Sequence, residues 1–161
     1  MLIRDATADD WPAIWAIIRE VHAEGDTFCL EPDLTEADAR GWWLLDPPGR
    51  TVVAQDDGEI LATAEFGPNR PGQGAHVSTA SFMVGSAARG RGVGGRLVEW
   101  VLEQARTAGY AGMQFNAVVE TNEAAVRLYE RLGFTIVGTV PGAFAHPTLG
   151  RVGLHVMYCL F

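Results

Sequence analysis

Four glycines, Gly90, Gly92, Gly94 and Gly95, alternate with Arg89, Arg91 and Arg96 just after the apolar stretch Ala80–Val84 and just before an amphipathic one beginning near Leu97. Glycine lets a backbone turn tightly with no Cβ in the way, so successive N–H groups can converge on one anion. A helix starting there adds its unpaired N–H groups and the positive end of its dipole. That combination suits a pyrophosphate. Side chains able to move protons lie elsewhere: Tyr129, and Glu65, His76, Glu120 and His155 on or near expected strands.

Two ligand classes compete for the glycine loop. Gly90-x-Gly92-x-x-Gly95 satisfies the dinucleotide fingerprint, which also needs a carboxylate about 20 residues on to hold the ribose. The chain has Met113-Gln114-Phe115-Asn116-Ala117-Val118 there, with no carboxylate. The alternative pattern is Arg89-x-x-Gly92-x-Gly94, an Arg/Gln-x-x-Gly-x-Gly/Ala loop.

Composition narrows the field. The chain has 161 residues, 48% of them hydrophobic, enough for one domain over 1–161 with a single core. No apolar run is long enough to span a bilayer and the N-terminus carries no leader pattern, so a cytoplasmic protein with no membrane partner is expected. Cys29 and Cys159 form neither a disulfide framework nor a metal cluster, and no metal is expected. The net charge of −8 argues against nucleic acid, which needs a broad basic face. Arg89, Arg91 and Arg96 on so acidic a body point instead to a small polyanion.

The elements that must position these residues follow from periodicity and punctuation. Leu2–Ala6 reads as a strand; Trp11, Ile14, Trp15, Ile18 and Val21 repeat at helical spacing after a cap at Thr7 or Asp9. Thr35 caps a second helix through Trp42-Trp43-Leu44, ended by Pro47-Pro48-Gly49. Thr51–Ala54 and Glu59–Phe66 flank Asp57-Gly58, a hairpin signal. His76–Val84 leads into the glycine loop, and Leu97, Val98, Val101, Leu102 and Ala105 form the buried stripe of the next helix. Gly112–Val119 is a buried strand. Thr121 or Asn122 caps a further helix whose Ala125, Leu128 and Leu132 face inward. Phe134–Thr139 and Arg151–Phe161 are the last strands, joined by a long loop over 140–150. The order is β-α-α-β-β-β-α-β-α-β-β, a mixed sheet covered by helices.

That order, the Arg89-x-x-Gly92-x-Gly94 loop, and Asn122-x-x-Ala125-x-x-Leu128-Tyr129-x-x-Leu132-Gly133-Phe134 together resemble the GNAT family of N-acetyltransferases over essentially the whole chain. The resemblance implies an α/β fold: a mixed, mostly antiparallel sheet with splayed fourth and fifth strands and helices on both faces. It implies acetyl-CoA as co-substrate. Phe82, Met83 and Val84 would then hold the pantetheine, Arg89, Gly90, Arg91, Gly92, Val93, Gly94 and Gly95 the pyrophosphate, and Asn122, Ala125 and Tyr129 the thiol end.

Attack of a neutral amine on a thioester requires a stabilised oxyanion and a proton for the departing thiolate. Tyr129 matches the family's general acid. Glu65 is the first candidate for the base and Glu120 the next. Glu24-Gly25-Asp26-Thr27-Phe28, Glu31-Pro32 and Trp42-Trp43 are similar in arrangement to phosphinothricin-type amino-acid acetyltransferases. Met113–Asn122 resembles the fungal proline-analogue acetyltransferases. There the residue matching Asn116 borders the acceptor and the one matching Asn122 contacts the cofactor, while a further asparagine is replaced here by Thr79. Thr79 and Asn116, with Phe28, Phe144, His146 and His155 on the acceptor side, complete the expected binding residues. The resemblance further implies a small-molecule amine or amino acid as acceptor and a protein N-terminus or side chain as the alternative; homodimers are frequent in that family, and Leu154, Val156 and Met157 on the last strand suit either a dimer face or burial in the core. A non-catalytic acyl-CoA sensor would keep the loop without needing Tyr129.

Overall fold

The computed structural model describes residues 1–161. In chain order the elements are β1 (Leu2–Asp5), α1 (Trp11–Glu24), α2 (Glu36–Trp43), β2 (Arg50–Asp56), β3 (Glu59–Pro68), β4 (Val77–Val84), α3 (Val93–Thr107), β5 (Gly112–Val119), α4 (Glu123–Arg131), β6 (Thr135–His146) and β7 (Gly150–Leu160). The seven strands form one sheet in the order β1-β2-β3-β4-β5-β7-β6. Every pairing is antiparallel except β4 with β5.

Two apolar cores clamp the sheet. On one face α3 buries Leu97, Val98, Val101, Leu102 and Ala105 against Ala62, Ala64, Phe66 and Ala80. This is the stripe that the periodicity of α3 predicts. On the other face Trp11, Ile14, Ile18 and Val21 of α1 and Trp43 of α2 pack on Val53 and Met83. The Trp43 indole N–H donates to the Thr63 hydroxyl at 2.9 Å, pinning α2 to β3. Strand alternation therefore sorts β4: Thr79, Ser81 and Met83 face α1 and α2, while Ala80, Phe82 and Val84 face α3.

The parallel pair β4–β5 is short by design of its ends. It is registered only at Val77 with Gly112 and Ser78 with Met113, after which the strands diverge. At the same position Gly112 lets β7 approach closely, because a Cβ there would lie 2.7 Å from the Cys159 carbonyl oxygen. On its other edge β5 stays with β7 but slips register between Phe115 and Val118, which leaves Asn116 and Ala117 bulged and exposed.

The C-terminal hairpin departs from the expected loop. Residues 140–146 continue β6, and only Pro147, Thr148 and Leu149 turn the chain into β7. The interruption that Pro141-Gly142 signals is absorbed as a bulge between Val140 and Phe144, with Gly142 in the left-handed region (φ 63°). Of the last-strand apolar residues that suit either a dimer face or the core, Met157 is fully buried in the α3-side core. The exposed large apolar side chains of the hairpin are Ile136, Val137 and Val140 on β6, Leu149 in the turn and Leu160 at the end of β7.

Candidate active site

Where β4 and β5 part, a cleft of about 520 Å³ passes between them. Thr79–Val84 form one wall and Phe115–Val119 the other, and residues of the Asp26–Cys29 loop and of α4 complete the lining. Past Ser78 the β4 edge has no strand partner on this side, so its N–H and C=O groups face the cleft. An extended amide-bearing arm fits such an edge by adding to it as a strand would.

At one end lies the glycine loop. Gly90 and Gly92 both take left-handed conformations (φ 74°), which a side chain would strain. The first hydrogen bond of α3 runs from the Arg96 N–H to the Gly92 carbonyl, leaving the N–H groups of Val93, Gly94 and Gly95 without a helical acceptor. Gly94 packs on Val84, where a Cβ would sit 3.3 Å from Cγ2. These are properties a pyrophosphate site requires, and the residues present fit coenzyme A. The arginines divide unexpectedly. Arg89 lines the cleft, yet both its terminal nitrogens donate at 2.7 Å to the Glu24 carboxylate. Arg91 stands 3.9 Å from Asp56.

Elsewhere in the cleft Tyr129 leans on a cluster of rings. Its centroid lies 4.5 Å from Phe115 and 6.4 Å from Phe82, and Phe115 stacks on Phe134 at 4.3 Å. Burial pushes the Tyr129 hydroxyl well above the usual tyrosine range, so it stays protonated and able to donate. Asn122 caps α4 by accepting the Ala125 N–H at 3.3 Å, and both residues line the cleft.

Across the cleft mouth runs a polar chain. The Gln114 amide donates to Asn116 Oδ1 at 2.8 Å, and Asn116 Nδ2 donates to Asn69 Oδ1 at 2.8 Å and reaches Thr79 Oγ1 at 3.5 Å. Thr79 and Asn116 are thus brought together with Asn69, which sequence reading passed over inside a Pro/Gly loop.

The expected bases fare differently. Glu65 faces a neighbouring cavity of about 650 Å³ that shares Thr79 with the cleft but contains neither Tyr129 nor the glycine loop. Burial raises its carboxyl, opposed by the Ser81 side chain registered beside it. A carboxyl whose folded pKa lies above its unfolded one contributes its full stabilisation at low pH and loses it as pH rises through the folded value. Glu65→Gln is therefore expected to raise the melting temperature at pH 7 by roughly 1–3 °C, with the gain vanishing at acid pH. Scanning calorimetry at the two pH values checks it. Glu120 is exposed and accepts the Gly153 N–H of β7, outside the cleft.

The acceptor-side candidates also separate. Phe28 lines the cleft. His146 lines a small adjoining cavity with Asp26, Thr27 and Asn122, and its Nδ1 accepts the N–H groups of Thr148 and Leu149. Phe144 is buried on Val119 and Val152, because the strand that replaces the expected loop turns it inward. His155 pairs with the Thr139 hydroxyl at 2.8 Å across β6–β7, and the exposed His76 ring contacts the Gln73 carbonyl. Neither lines the cleft.

The acetyltransferase (GNAT) family model matches residues 11–134. The L-methionine sulfoximine/L-methionine sulfone acetyltransferase of Pseudomonas aeruginosa is 33% identical over 143 residues, covering 86% of this chain and 83% of that one. A GCN5-related N-acetyltransferase from Kribbella flavida is 52% identical, with a TM-score of 0.97 over 99% of this chain and 97% of that one. A ribosomal-protein-alanine N-acetyltransferase from Brucella melitensis is 29% identical, with a TM-score of 0.86 over 100% of both chains. No helix is long and apolar enough to cross a membrane. The chain belongs to the acetyltransferase (GNAT) family and is by that membership an acetyl-CoA-dependent N-acetyltransferase.

Proposed function

We propose that the protein acetylates the amine of a small molecule, an amino acid or amino-acid analogue, by direct attack within a ternary complex. One observation carries the reading: a single cleft joins the unpaired N–H groups at the start of α3 to the Tyr129 hydroxyl and the Asn116–Thr79 chain. The co-substrate supplies an acetyl thioester. The N–H groups of Val93, Gly94 and Gly95 receive its pyrophosphate, and the β4 edge at Phe82–Val84 pairs with its amide arm. Tyr129 donates its proton to the sulfur as the C–S bond breaks.

A small acceptor is favoured because the mouth is narrowed by the Asp26–Cys29 loop on one side and tied by Asn69, Asn116 and Thr79 on the other. The similarity to an enzyme of methionine sulfone and sulfoximine supports the amino-acid class. The test is thiol release from acetyl-CoA with a panel of amino acids, methionine sulfone, methionine sulfoximine, proline analogues and peptides with free N-termini. Turnover of at least one amino acid or analogue, with peptides inert, is the expected result. Turnover of peptides alone would overturn the acceptor class, and silence with tight coenzyme A binding would favour a sensor.

A further inference from the structure

The titratable side chains lining the cleft are Glu24, Asp26, Cys29, Arg89 and Tyr129. Glu24 and Arg89 neutralise each other through their two 2.7 Å contacts. Asp26 feels the Arg89 charge through space, but both Arg89 terminal nitrogens are spent on Glu24 and none donates to Asp26. Its Oδ1 is fully buried and has no hydrogen-bond partner. A buried charged oxygen lacking a partner is costly, more so than a neutral acceptor. Its place is nevertheless well determined: Gly25, left-handed at φ 65°, ends α1 and swings Asp26, Thr27, Phe28 and Cys29 into the cleft wall.

The surrounding charges do not supply the missing partner. From α1 come Glu20, whose carboxylate accepts the Ser86 N–H, and Glu24. In the adjoining cavity of about 300 Å³ Asp26 meets Glu123 of α4 and His146 of β6. Glu123 is taken by Arg127, and the His146 Nδ1 by the turn. A cation brought by a ligand would complete the site.

We infer that Asp26 is the acceptor-recognising carboxylate of the cleft: its Oδ1 receives the ammonium group of the incoming amine and takes one proton from it. This rests on the reading of the cleft as an acetyl-transfer site. The balance is simple. An ammonium gives one proton to Asp26 and becomes a neutral amine; its lone pair forms the C–N bond as the C–S bond breaks. The second nitrogen proton replaces the one that Tyr129 has given to sulfur, and Asp26 releases its proton to solvent. Acceptors are thereby restricted to amines that arrive charged, and the free base is made inside the cleft.

The experiment compares the wild type with Asp26→Asn, in two arms. In the first, the coenzyme A-loaded protein is titrated with butylammonium and with butanol and followed by amide chemical shifts, which needs no turnover. The wild type is expected to bind the ammonium at least about tenfold more tightly, with shifts at Asp26, Thr27 and Phe28, and Asp26→Asn to lose that preference. In the second, the log of kcat/KM is measured against pH with an amine that the panel shows to be turned over, over about pH 6–8, below the ordinary range of an aliphatic amine. The wild type should be flat, whereas Asp26→Asn should rise about tenfold per pH unit, because only the rare neutral amine reacts. Equal affinity for butylammonium and butanol in the wild type, or parallel pH profiles in the two proteins, would overturn the assignment. Ammonium preference without turnover of any amine would uphold it while refuting acetyl transfer. Unfolding of the variant does not decide the matter, since the wild-type titration stands alone.

Discussion

Tyr129→Phe lowers kcat by about two orders of magnitude and leaves the KM for acetyl-CoA within about twofold. The hydroxyl lines the cleft where β4 and β5 have parted, and burial holds it protonated. The ring is already fixed by Phe82, Phe115 and Phe134, so the phenylalanine variant keeps its packing and loses one oxygen. No protein group hydrogen-bonds that oxygen, and the melting temperature should be unchanged. The same burial bears on pH. Because the folded pKa is raised, ionisation of Tyr129 removes the donor only above the ordinary tyrosine value of about 10. The wild-type kcat should therefore show no alkaline fall between about pH 8 and 10. Steady-state kinetics across that range check both statements. An unchanged kcat in the variant would refute the proton-donor role.

Gly92→Asp is expected to raise the KM for acetyl-CoA by about a hundredfold with α3 intact. Gly92 is the residue before α3 and sits in the left-handed region, which Asp and Asn tolerate better than other side chains. A Cβ there meets nothing within 4 Å, so the substitution adds little strain beyond the backbone. An anion at a helix N-terminus also suits the dipole. What changes is charge. At an effective dielectric of about 20, two unit charges 4 Å apart repel by about 4 kcal/mol, and exposure of the loop reduces this toward the roughly 3 kcal/mol that a hundredfold requires. Gly92→Asn controls for shape and should alter KM by less than about fivefold. Equal effects of Asp and Asn would show that the loop contributes geometry rather than an anion site. Circular dichroism verifies that the helix persists in both.

The two experiments address the glycine loop and Tyr129 of one cleft, and Asp26 lines the same cleft on the loop that follows α1. The Glu24–Arg89 pair physically links that loop to the glycine turn, since Glu24 closes α1 one residue before Gly25. An arginine that in sequence looks assigned to phosphate is thus also a strut. The positive character of the loop consequently rests more on backbone N–H groups and the start of α3 than on guanidinium charge.

Much of the fold was legible because its signals are local. The apolar spacing of α1 and α3, the Thr35 and Asn122 caps and Asp57-Gly58 act within a few residues, where helix and turn energetics are decided. The loop 140–150 was misjudged for the same reason. Pro141 and Gly142 are local breakers, yet β7 offers a long antiparallel edge that accepts the bulge and continues the ladder. Local propensity lost to a partner about ten residues away in sequence and adjacent in space.

At the site the division is sharper. The amino-acid sequence by itself determined the glycine loop as an anion site, because anion binding by backbone needs only the order of glycines before a helix, while the donor followed from the resemblance of that loop and of the Asn122–Phe134 segment to the GNAT family. The tertiary structure alone decided which ionisable groups are available: Glu120 is held by the Gly153 N–H, Glu65 faces a neighbouring cavity, Arg89 is paired with Glu24, and Asp26 is left unpartnered beside the cleft. A side chain's charge is written in its type, but its partner is chosen through space by burial and strand pairing, and the chemistry follows the partner.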